Sequence, residues 1–368
     1  MEQVIIRGRD KYKEIESILN KHKCEKFMLV CGASLRKSTA YDYFEQIKVP
    51  YIVFSEYKSN PCYEDICNGV ELFKAEKCDA VVAVGGGSAI DVAKCIKLYS
   101  TMETSQSYIE QEAENNDILL IAIPTTAGSG SESTKFAVMY YKGNKQSVVH
   151  ESLRPRYAIL DSGFLSTLPL YQKKCTLLDA LCQAIESWWS INSNAESRKY
   201  SKMAIEIIVA NMEEYLSEQT TNADDKIMLA SNYSGRAINI TQTTAPHAMS
   251  YKLTSLYGIP HGHAVAICLV EVWEYMQDYY EKDREKSGNN LLLNTLEEIA
   301  NAFGVHSSAE GFGMLRMLLK RLDIKPPIAE AKDIEVLASS VDPVRLKNHP
   351  ICMNKQDFIY LYKKILFM

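Results

Sequence analysis

Apolar runs in the first half of the chain alternate with stretches in which apolar residues recur every three or four positions. The runs have the length of buried strands, and the stretches between them have helical periodicity over 9–22, 35–47 and 63–76. Parallel sheets produce this alternation, because each crossover between parallel strands usually contains a helix. We therefore predict a Rossmann-like parallel sheet with strands at 26–31, 50–54, 79–84, 117–123 and 157–160.

The pattern changes near residue 165, after which helical periodicity continues almost without interruption. The breaks fall at clusters of Gly, Pro or Asn, which separate helices predicted at 171–190, 194–217, 223–238, 241–256, 262–280, 290–303, 309–321 and 355–366. The sequence thus predicts an α/β domain at 1–164 and an all-α domain at 165–368.

Composition limits the classes of function. Of the 368 residues, 46% are hydrophobic and 24% are charged, which is ordinary for a globular protein, and the net charge of −5 argues against a nucleic-acid surface. No apolar run approaches the length of a membrane span. The ten cysteines form no Cys-x-x-Cys pair, which favours reduced thiols. We expect a cytoplasmic protein without a membrane or nucleic-acid partner.

Two loops rich in small residues follow predicted strands at their carboxyl ends, where ligands bind in open α/β sheets. Glycine lets a ligand approach the backbone closely, and a helix N-terminus attracts an anion such as pyrophosphate. Alternatively the loops are a tight turn and a solvated linker, since neither matches the G-x-G-x-x-G or Walker A pattern. The candidate cofactor-binding residues are Gly85, Gly86, Gly87, Ser88 and Asp91 around the first loop, and Thr125, Thr126 and Ser129 in the second.

Three of the seven histidines, His247, His261 and His263, lie within 17 residues of one another. Neutral imidazole is the commonest metal ligand, so this clustering favours a metal site. Asp179 and Gln183 lie four residues apart in an apolar helical pattern and share one face, where a divalent ion would satisfy their buried oxygens. The alternative is that the histidines are core and turn residues, and that the polar pair hydrogen-bonds to backbone.

These features resemble the iron-containing (group III) alcohol dehydrogenase family over nearly the whole chain. The resemblance rests on Asp179, on the Pro260-His261-Gly262 turn and on the Gly-Gly-Gly-Ser-x-x-Asp-x-x-Lys stretch at 85–94. It implies a dehydroquinate synthase-like architecture, with a dinucleotide-binding domain at 1–164 and a metal-binding domain at 165–368. It also implies bound NAD(P)H, one divalent metal that is Fe(II) or Zn(II), and a homodimer. It places the metal ligands at Asp179, Gln183, His247 and His261, and further cofactor contacts at Lys145 and Leu168.

Three positions depart from the family pattern. Gln183 stands where the family usually has histidine, and its amide oxygen is a harder and weaker ligand. Tyr251 stands where many members have a second histidine one turn after the first metal histidine, so we take Tyr251, His261 and His263 as the candidate catalytic residues. Gly32 stands where NAD-specific relatives often carry a carboxylate, and its absence permits NADP(H).

The resemblance implies hydride transfer from NAD(P)H to a small aldehyde whose carbonyl is polarised by the metal. Basic residues at Lys135, Arg154 and Lys252 predict an anionic tail on the substrate, although charged side chains commonly point to solvent. The sequence also looks like the phosphonoacetaldehyde reductase branch, which forms 2-hydroxyethylphosphonate. The competing interpretations are a general short-chain alcohol dehydrogenase, a non-redox NAD-using lyase of the dehydroquinate synthase type, and a non-enzymatic protein that has lost its metal.

Overall fold

The computed structural model describes residues 2–38, 40–217, 222–287 and 291–367. The chain divides into two compact units, Met1–Thr167 and Leu168–Met368. The boundary predicted between residues 164 and 165 falls inside a short 3-10 turn, Ser162–Thr167. This turn belongs to the first unit, because Phe164 packs against Tyr12 with the ring centroids 5.6 Å apart.

The first unit is built on two sheets, whose strands are β1 Val4–Arg7, β2 Phe27–Cys31, β3 Tyr51–Phe54, β4 Ala80–Gly85, β5 Leu119–Pro124, β6 Phe136–Tyr141, β7 Asn144–Val149 and β8 Tyr157–Leu160. Six of them form one sheet in the order β1-β8-β5-β4-β2-β3, with every neighbouring pair parallel. Strands β6 and β7 form an antiparallel hairpin. The predicted parallel α/β fold is confirmed.

The central strands are apolar on both faces, since every residue of β2, β4 and β5 is buried. Alternate side chains enter two different cores: Met28 and Val30 of β2 pack on one side of the sheet, and Phe27 and Leu29 pack on the other. Helices cover both faces at α1 Ile15–Lys21, α2 Ala33–Arg36, α3 Tyr41–Gln46, α4 Tyr63–Ala75 and α5 Gly87–Tyr99.

Strand β1 and the β6–β7 hairpin were not predicted from the sequence. Strand β1 is a four-residue edge strand that is only half buried, so its apolar pattern is too short to recognise. The hairpin reverses at Lys142 and Gly143, whose φ angles are 49° and 76°. Two consecutive residues with positive φ are typical of the tight turns that join antiparallel strands, and Gly143 was the available signal.

The second unit is helical throughout the described residues, as predicted. Its helices are α6 Leu170–Trp189, α7 Ala195–Leu216, α8 Asn222–Thr241, α9 Ala245–Tyr257, α10 His261–Ser287, α11 Leu291–Ala302, α12 Ser308–Arg321, α13 Asp333–Ser339, α14 Pro343–Leu346 and α15 Lys355–Phe367. Helix α6 lies at the centre and packs against α7, α8 and α10. Most of its residues are therefore buried, including the polar residues Asp179, Gln183 and Glu186.

Two details of the second unit differ from the prediction. The break predicted after residue 238 is wrong, because α8 continues to Thr241 and the chain turns at Gln242, which has a φ angle of 60°. Helices α13 and α14 were not predicted, because seven and four residues are too few to show a clear period. Within the described residues, none of the helices combines the length and apolar character needed to cross a bilayer.

Candidate functional site

Three of the predicted metal ligands meet in the second unit. Asp179 comes from α6, His247 from the first turn of α9, and His261 from the first residue of α10. One ligand atom from each of these residues lies within 4.8 Å of the other two. Asp179 and His247 are 7% and 4% exposed and His261 is half-buried, so protein encloses most of the cluster. Helix α6 and the consecutive helices α9 and α10 thus present a carboxylate and two imidazoles to one point.

The carboxylate of Asp179 needs a cation. Its Oδ1 is buried and has no hydrogen-bond partner among the described residues, and Nε2 of His247 lies 3.5 Å away. Burial alone would raise the pKa of Asp179, but the interactions with His247 and His261 hold it below its ordinary value. A buried carboxylate that stays ionised without a full set of donors is stabilised by positive charge. The donor set therefore fits a divalent ion.

Glu186 is a buried partner of the site that was not predicted. It lies two helical turns after Asp179 and is fully buried. Its Oε1 hydrogen-bonds Nδ1 of His247, and its Oε2 accepts from the backbone N–H and the hydroxyl of Thr244 at 2.7 and 2.8 Å. A carboxylate on the far nitrogen of a histidine fixes the ring so that Nε2 faces the metal. The signal was available, because Asp179, Gln183 and Glu186 share one face of α6.

The same contacts control the charge of His247. Burial alone would lower the pKa of His247, but the charges and hydrogen bonds of Glu186 and Asp179 raise it to about 10. In the absence of a metal the site therefore holds a proton on this imidazole, and metal binding must displace that proton. The two carboxylates therefore attract a positive charge to this point, whether that charge is the protonated imidazole or a metal ion.

His261 is fixed by its neighbours in a metal-binding orientation. The hydroxyl of Ser250 donates to the backbone carbonyl of His247 at 2.8 Å, so at 3.3 Å it accepts from Nδ1 of His261. This assigns the proton to Nδ1 and the lone pair to Nε2, the form in which imidazole binds a metal. Tyr251 stacks on the His261 ring with centroids 5.8 Å apart, so the phenol predicted to be catalytic lies beside the cluster.

Gln183 lies one turn after Asp179 and is 4% exposed. Its side chain hydrogen-bonds the Asp179 carboxylate and contributes to the lowered pKa of that group. An amide carries both a donor and an acceptor, so a donated N–H to Asp179 is compatible with coordination by the amide oxygen. Metal ligation by Gln183 remains a prediction.

The structure does not support the predicted catalytic role of His263. This side chain is 6% exposed, and both of its ring nitrogens are engaged by protein groups. Nε2 donates to the backbone carbonyl of Lys325 at 2.7 Å, and Nδ1 therefore accepts from the hydroxyl of Tyr171 at 2.8 Å. Burial lowers the pKa of His263, which keeps the ring neutral. His263 joins α6 to the segment after α12, and a catalytic role for it remains a prediction that these contacts do not favour.

The two small-residue loops of the first unit lie side by side. The backbone N–H of Thr125 donates to the carbonyl of Gly85 at 3.0 Å. A Cβ on Gly86 would lie 3.5 Å from the Thr126 hydroxyl, and a Cβ on Gly87 would lie 3.0 Å from the hydroxyl of Ser129. A side chain at Gly87 would therefore fill the space between the loops, at the N-terminus of α5. This arrangement is the one expected for a pyrophosphate site, although contact with a cofactor remains a prediction for these residues.

The other predicted cofactor residues have different surroundings. The hydroxyl of Ser88 donates to the carbonyl of Ser59. Asp91 accepts hydrogen bonds from the hydroxyl of Ser131 at 2.6 Å and from a backbone N–H of β6 at 3.0 Å, so we expect its effect on a cofactor to be indirect. Burial raises the pKa of Asp91, and the positive charge of Lys145 in β7 is among the interactions that oppose this rise. Leu168 is the half-buried first residue of the second unit.

The basic residues predicted to hold an anionic tail are poorly placed for it. Lys135 forms an ion pair with Glu151 at 2.6 Å. Lys252 follows His247 by five positions on α9, which places it about 140° around the helix from the metal face. Arg154 is half-buried at the end of a short 3-10 turn in the first unit. The structure therefore gives no direct support to an anion site made from these three residues.

Comparison with known proteins identifies the family. Residues 3–162 match the iron-containing alcohol dehydrogenase family, and residues 174–366 match its C-terminal region. The chain belongs to the iron-containing alcohol dehydrogenase family. It is therefore an oxidoreductase of the kind that interconverts alcohols and aldehydes with NAD(P) and a divalent metal.

The proteins that this chain is similar to are named for different substrates. The chain is 29% identical over 320 residues to 4-hydroxybutyrate dehydrogenase from Clostridium kluyveri, and the match covers 83% of each chain. It is 32% identical over 215 residues to phosphonoacetaldehyde reductase from Streptomyces viridochromogenes. That match covers 55% of this chain and 54% of the relative. Sulfoacetaldehyde reductase from Bifidobacterium kashiwanohense, solved with NAD+, has a TM-score of 0.87 over 100% of this chain and 97% of its own, but its 23% identity shows only a shared fold.

Proposed function

We propose that this alcohol dehydrogenase reduces a small aldehyde with an anionic tail, and that its substrate is phosphonoacetaldehyde, which gives 2-hydroxyethylphosphonate. In this proposal NAD(P)H lies against the loops around Gly87 and Ser129 in the first unit. The metal is Fe(II) or Zn(II), and its ligands are Asp179, Gln183, His247 and His261. The protein acts as a homodimer in the cytoplasm.

The observation that carries the reduction chemistry is the enclosed donor cluster of Asp179, His247 and His261. A metal bound there would act as a Lewis acid on the substrate carbonyl. Glu186 holds His247 through Nδ1, so that Nε2 faces the cluster and can bind a metal once its proton is displaced, and Ser250 holds His261 through Nδ1 in the same orientation. These contacts fix the rings before the metal binds, so less ordering is required during the reaction.

The alcohol product needs a proton, and the chain must supply it. Tyr251 is the best-placed donor among the predicted catalytic residues, because its half-buried ring stacks on His261. A phenol can give up its proton to a neighbouring oxygen and recover one from water. We propose that Tyr251 has this role. In relatives with a histidine at this position, the imidazole would have the same role.

The proposed substrate class is supported by relatives whose names include an anionic substrate, a phosphonate and a carboxylate. The basic residues predicted from the sequence add less support, because Lys135 is paired with Glu151 and Lys252 lies away from His247 on its helix. Arg154 is the remaining candidate of the three. The side chain that would bind the phosphonate is therefore open to experiment.

A screen of NADH and NADPH oxidation tests the proposal. The substrates are short aldehydes of matched length with neutral, carboxylate, sulfonate and phosphonate tails. Each charge-assisted hydrogen bond to the tail contributes about 1.5–3 kcal/mol, so kcat/KM for phosphonoacetaldehyde should exceed that for butanal by about 10-fold or more. The advantage should shrink with added salt. Equal kcat/KM values for butanal and phosphonoacetaldehyde would show a general short-chain alcohol dehydrogenase.

Two further measurements test whether the reaction is a reduction and whether it needs a metal. Consumption of one NAD(P)H per product would exclude the non-redox lyase, which regenerates its NAD within each cycle. Retention of full activity after prolonged dialysis against a strong chelator, with no metal in the protein, would refute the proposed metal chemistry.

A further inference from the structure

Lys94 is an unusual residue for the interior of a sheet-packed helix. It lies in α5, one turn after Asp91, and its side chain is completely buried. Its Nζ donates three hydrogen bonds, to the hydroxyls of Ser131 and Thr134 at 3.0 Å each and to the carbonyl of Phe136 at 2.7 Å. All three donor positions of the ammonium are therefore used, which offsets much of the cost of burying a lysine.

These contacts all reach one segment of the chain. Ser131 and Thr134 lie at the end of the second small-residue loop, and Phe136 begins β6. Asp91 holds the same segment from the preceding turn of α5, because it accepts from the Ser131 hydroxyl at 2.6 Å and from the backbone N–H of Val138 at 3.0 Å. The Ser131 hydroxyl thus donates to Asp91 and accepts from Lys94, so it connects the two charged side chains of α5.

The segment continues directly to the face where the two loops meet. The backbone N–H of Ser131 donates to the hydroxyl of Ser129 at 3.3 Å, across Gly130, which has a φ angle of 60°. Ser129 in turn stands beside Gly87 at the start of α5, 3.0 Å from the position of an added Cβ. Ser131 therefore links the buried ammonium to Ser129, because its hydroxyl accepts from Lys94 and its backbone N–H donates to the Ser129 hydroxyl beside the space between the loops.

We propose that Lys94 is a positioning residue for dinucleotide binding, which sets the distance between the two small-residue loops without contacting the cofactor. The inference rests on the proposed placement of NAD(P)H at Gly87 and Ser129. The second loop has few apolar anchors of its own, so it depends on charge-assisted hydrogen bonds from α5. Loss of the ammonium removes a charged donor from two hydroxyls and a carbonyl, and the loop loses three of the contacts that hold it against α5.

Lys97 provides a matched control on the same helix. It is also buried, at 4% exposed, and burial lowers the pKa of both lysines to about 8. Its Nζ donates to the carbonyl of Asn116 at 3.3 Å, in the segment before β5 and away from the second loop. A purely structural effect of removing a buried lysine should therefore be shared by both positions, whereas an effect on the cofactor should be specific to Lys94.

The experiment compares Lys94→Met and Lys97→Met in the full-length protein, with the NADH and NADPH dissociation constants measured by nucleotide fluorescence and the melting temperature measured in parallel. We expect both variants to lose thermal stability, and only Lys94→Met to raise the dissociation constants, by at least 10-fold. At saturating cofactor, kcat should stay within about threefold of the unmodified protein, since the metal and proton donors are unchanged. Equal dissociation constants for the two variants would overturn the proposal.

Two additional variants keep the outcome interpretable. Thr134→Val removes one of the three acceptors with little change in shape, so it should fold even if Lys94→Met does not, and it should raise the dissociation constants by a smaller factor. No change for Thr134→Val in that case would count against the proposal. Gly87→Val tests the cofactor placement itself: if it weakens binding while Lys94→Met does not, the placement is right and the role of Lys94 is wrong. If neither weakens binding, both are wrong.

Discussion

Gly262 offers a direct test of how the metal cluster is assembled. It follows His261 in the first turn of α10, where the helix crosses the backbone of α6. A Cβ at this position would lie 1.9 Å from the carbonyl oxygen of Cys175 and 2.9 Å from Cβ of Asp179. Real Cβ contacts below 3.0 Å are essentially not observed, so in Gly262→Ala the start of α10 must retreat by about 1 Å or more.

The retreat would separate His261 from Asp179. Metal–ligand distances are defined to within about 0.2 Å, so a displacement of about 1 Å removes His261 from the coordination sphere. Loss of a hydrogen-bond partner of a ligand costs about 10–100-fold in metal affinity, and loss of a ligand should cost at least as much. We expect Gly262→Ala to weaken metal binding by about 100-fold or more, and to lower the stability of the metal-free protein by about 1–3 kcal/mol through overpacking.

The assay is a competition titration of Zn(II) and Fe(II) against a chelator of known affinity, with urea unfolding of the metal-free protein. Gly313→Ala is the matched control, because Gly313 lies within α12 and an added Cβ there meets no atom within 4 Å. That substitution should leave metal affinity unchanged and raise stability by up to about 1 kcal/mol, since alanine is the better helix former. Metal affinity of Gly262→Ala equal to that of the control would refute the close-approach argument.

Four further predictions concern the neighbouring contacts. Glu186→Gln should weaken metal binding by about 10–100-fold without unfolding the protein, and an unchanged metal dissociation constant would show that its contact with His247 is incidental. Gln183→His should tighten Zn(II) binding, as measured by the same competition titration, and weaker binding would show that position 183 does not face the metal. His263→Phe should lower stability in urea by about 1–3 kcal/mol while the folded enzyme keeps its kcat, whereas a loss of kcat above about 100-fold would restore the catalytic role that the geometry argues against. Gly32→Asp should shift the preference from NADPH toward NADH, and an unchanged ratio of the two kcat/KM values would show that Gly32 does not face the ribose.

The sequence predicted the parts of the fold that repeat a simple pattern. Strands β2, β4 and β5 are buried on both faces, so each appears as an uninterrupted apolar run, and the long helices of the second unit keep their period over many turns. Edge strand β1 and the hairpin are half-exposed. Strand β1 pairs with β8, which is far away in the sequence, and β6 pairs with β7 across a turn. Pairing across such distances is decided by tertiary contacts, which a local pattern does not contain.

The candidate site shows the same division. Residue type and helical spacing made Asp179, His247 and His261 candidates, the family resemblance selected them as ligands, and the structure brings them together. The roles of His263 and Lys135 could not be predicted in the same way, because each depends on a partner remote in sequence, the Lys325 carbonyl and Glu151. A histidine beside a metal histidine and a lysine beside a loop have the same sequence signature whether or not such a partner exists. Only the fold decides between a reactive group and one that is already engaged.

The substitution at Gln183 is best understood from the charges around the cluster. Asp179 and Glu186 place two carboxylates within reach of one imidazole, His247, so a divalent ion is neutralised whether position 183 is glutamine or histidine. Both side chains are uncharged as ligands, and the change replaces a nitrogen donor by an oxygen donor. Oxygen donors favour harder ions, and imidazole favours Zn(II) and its neighbours. The departure from the family pattern should therefore alter which divalent metal the protein prefers more than whether it binds one.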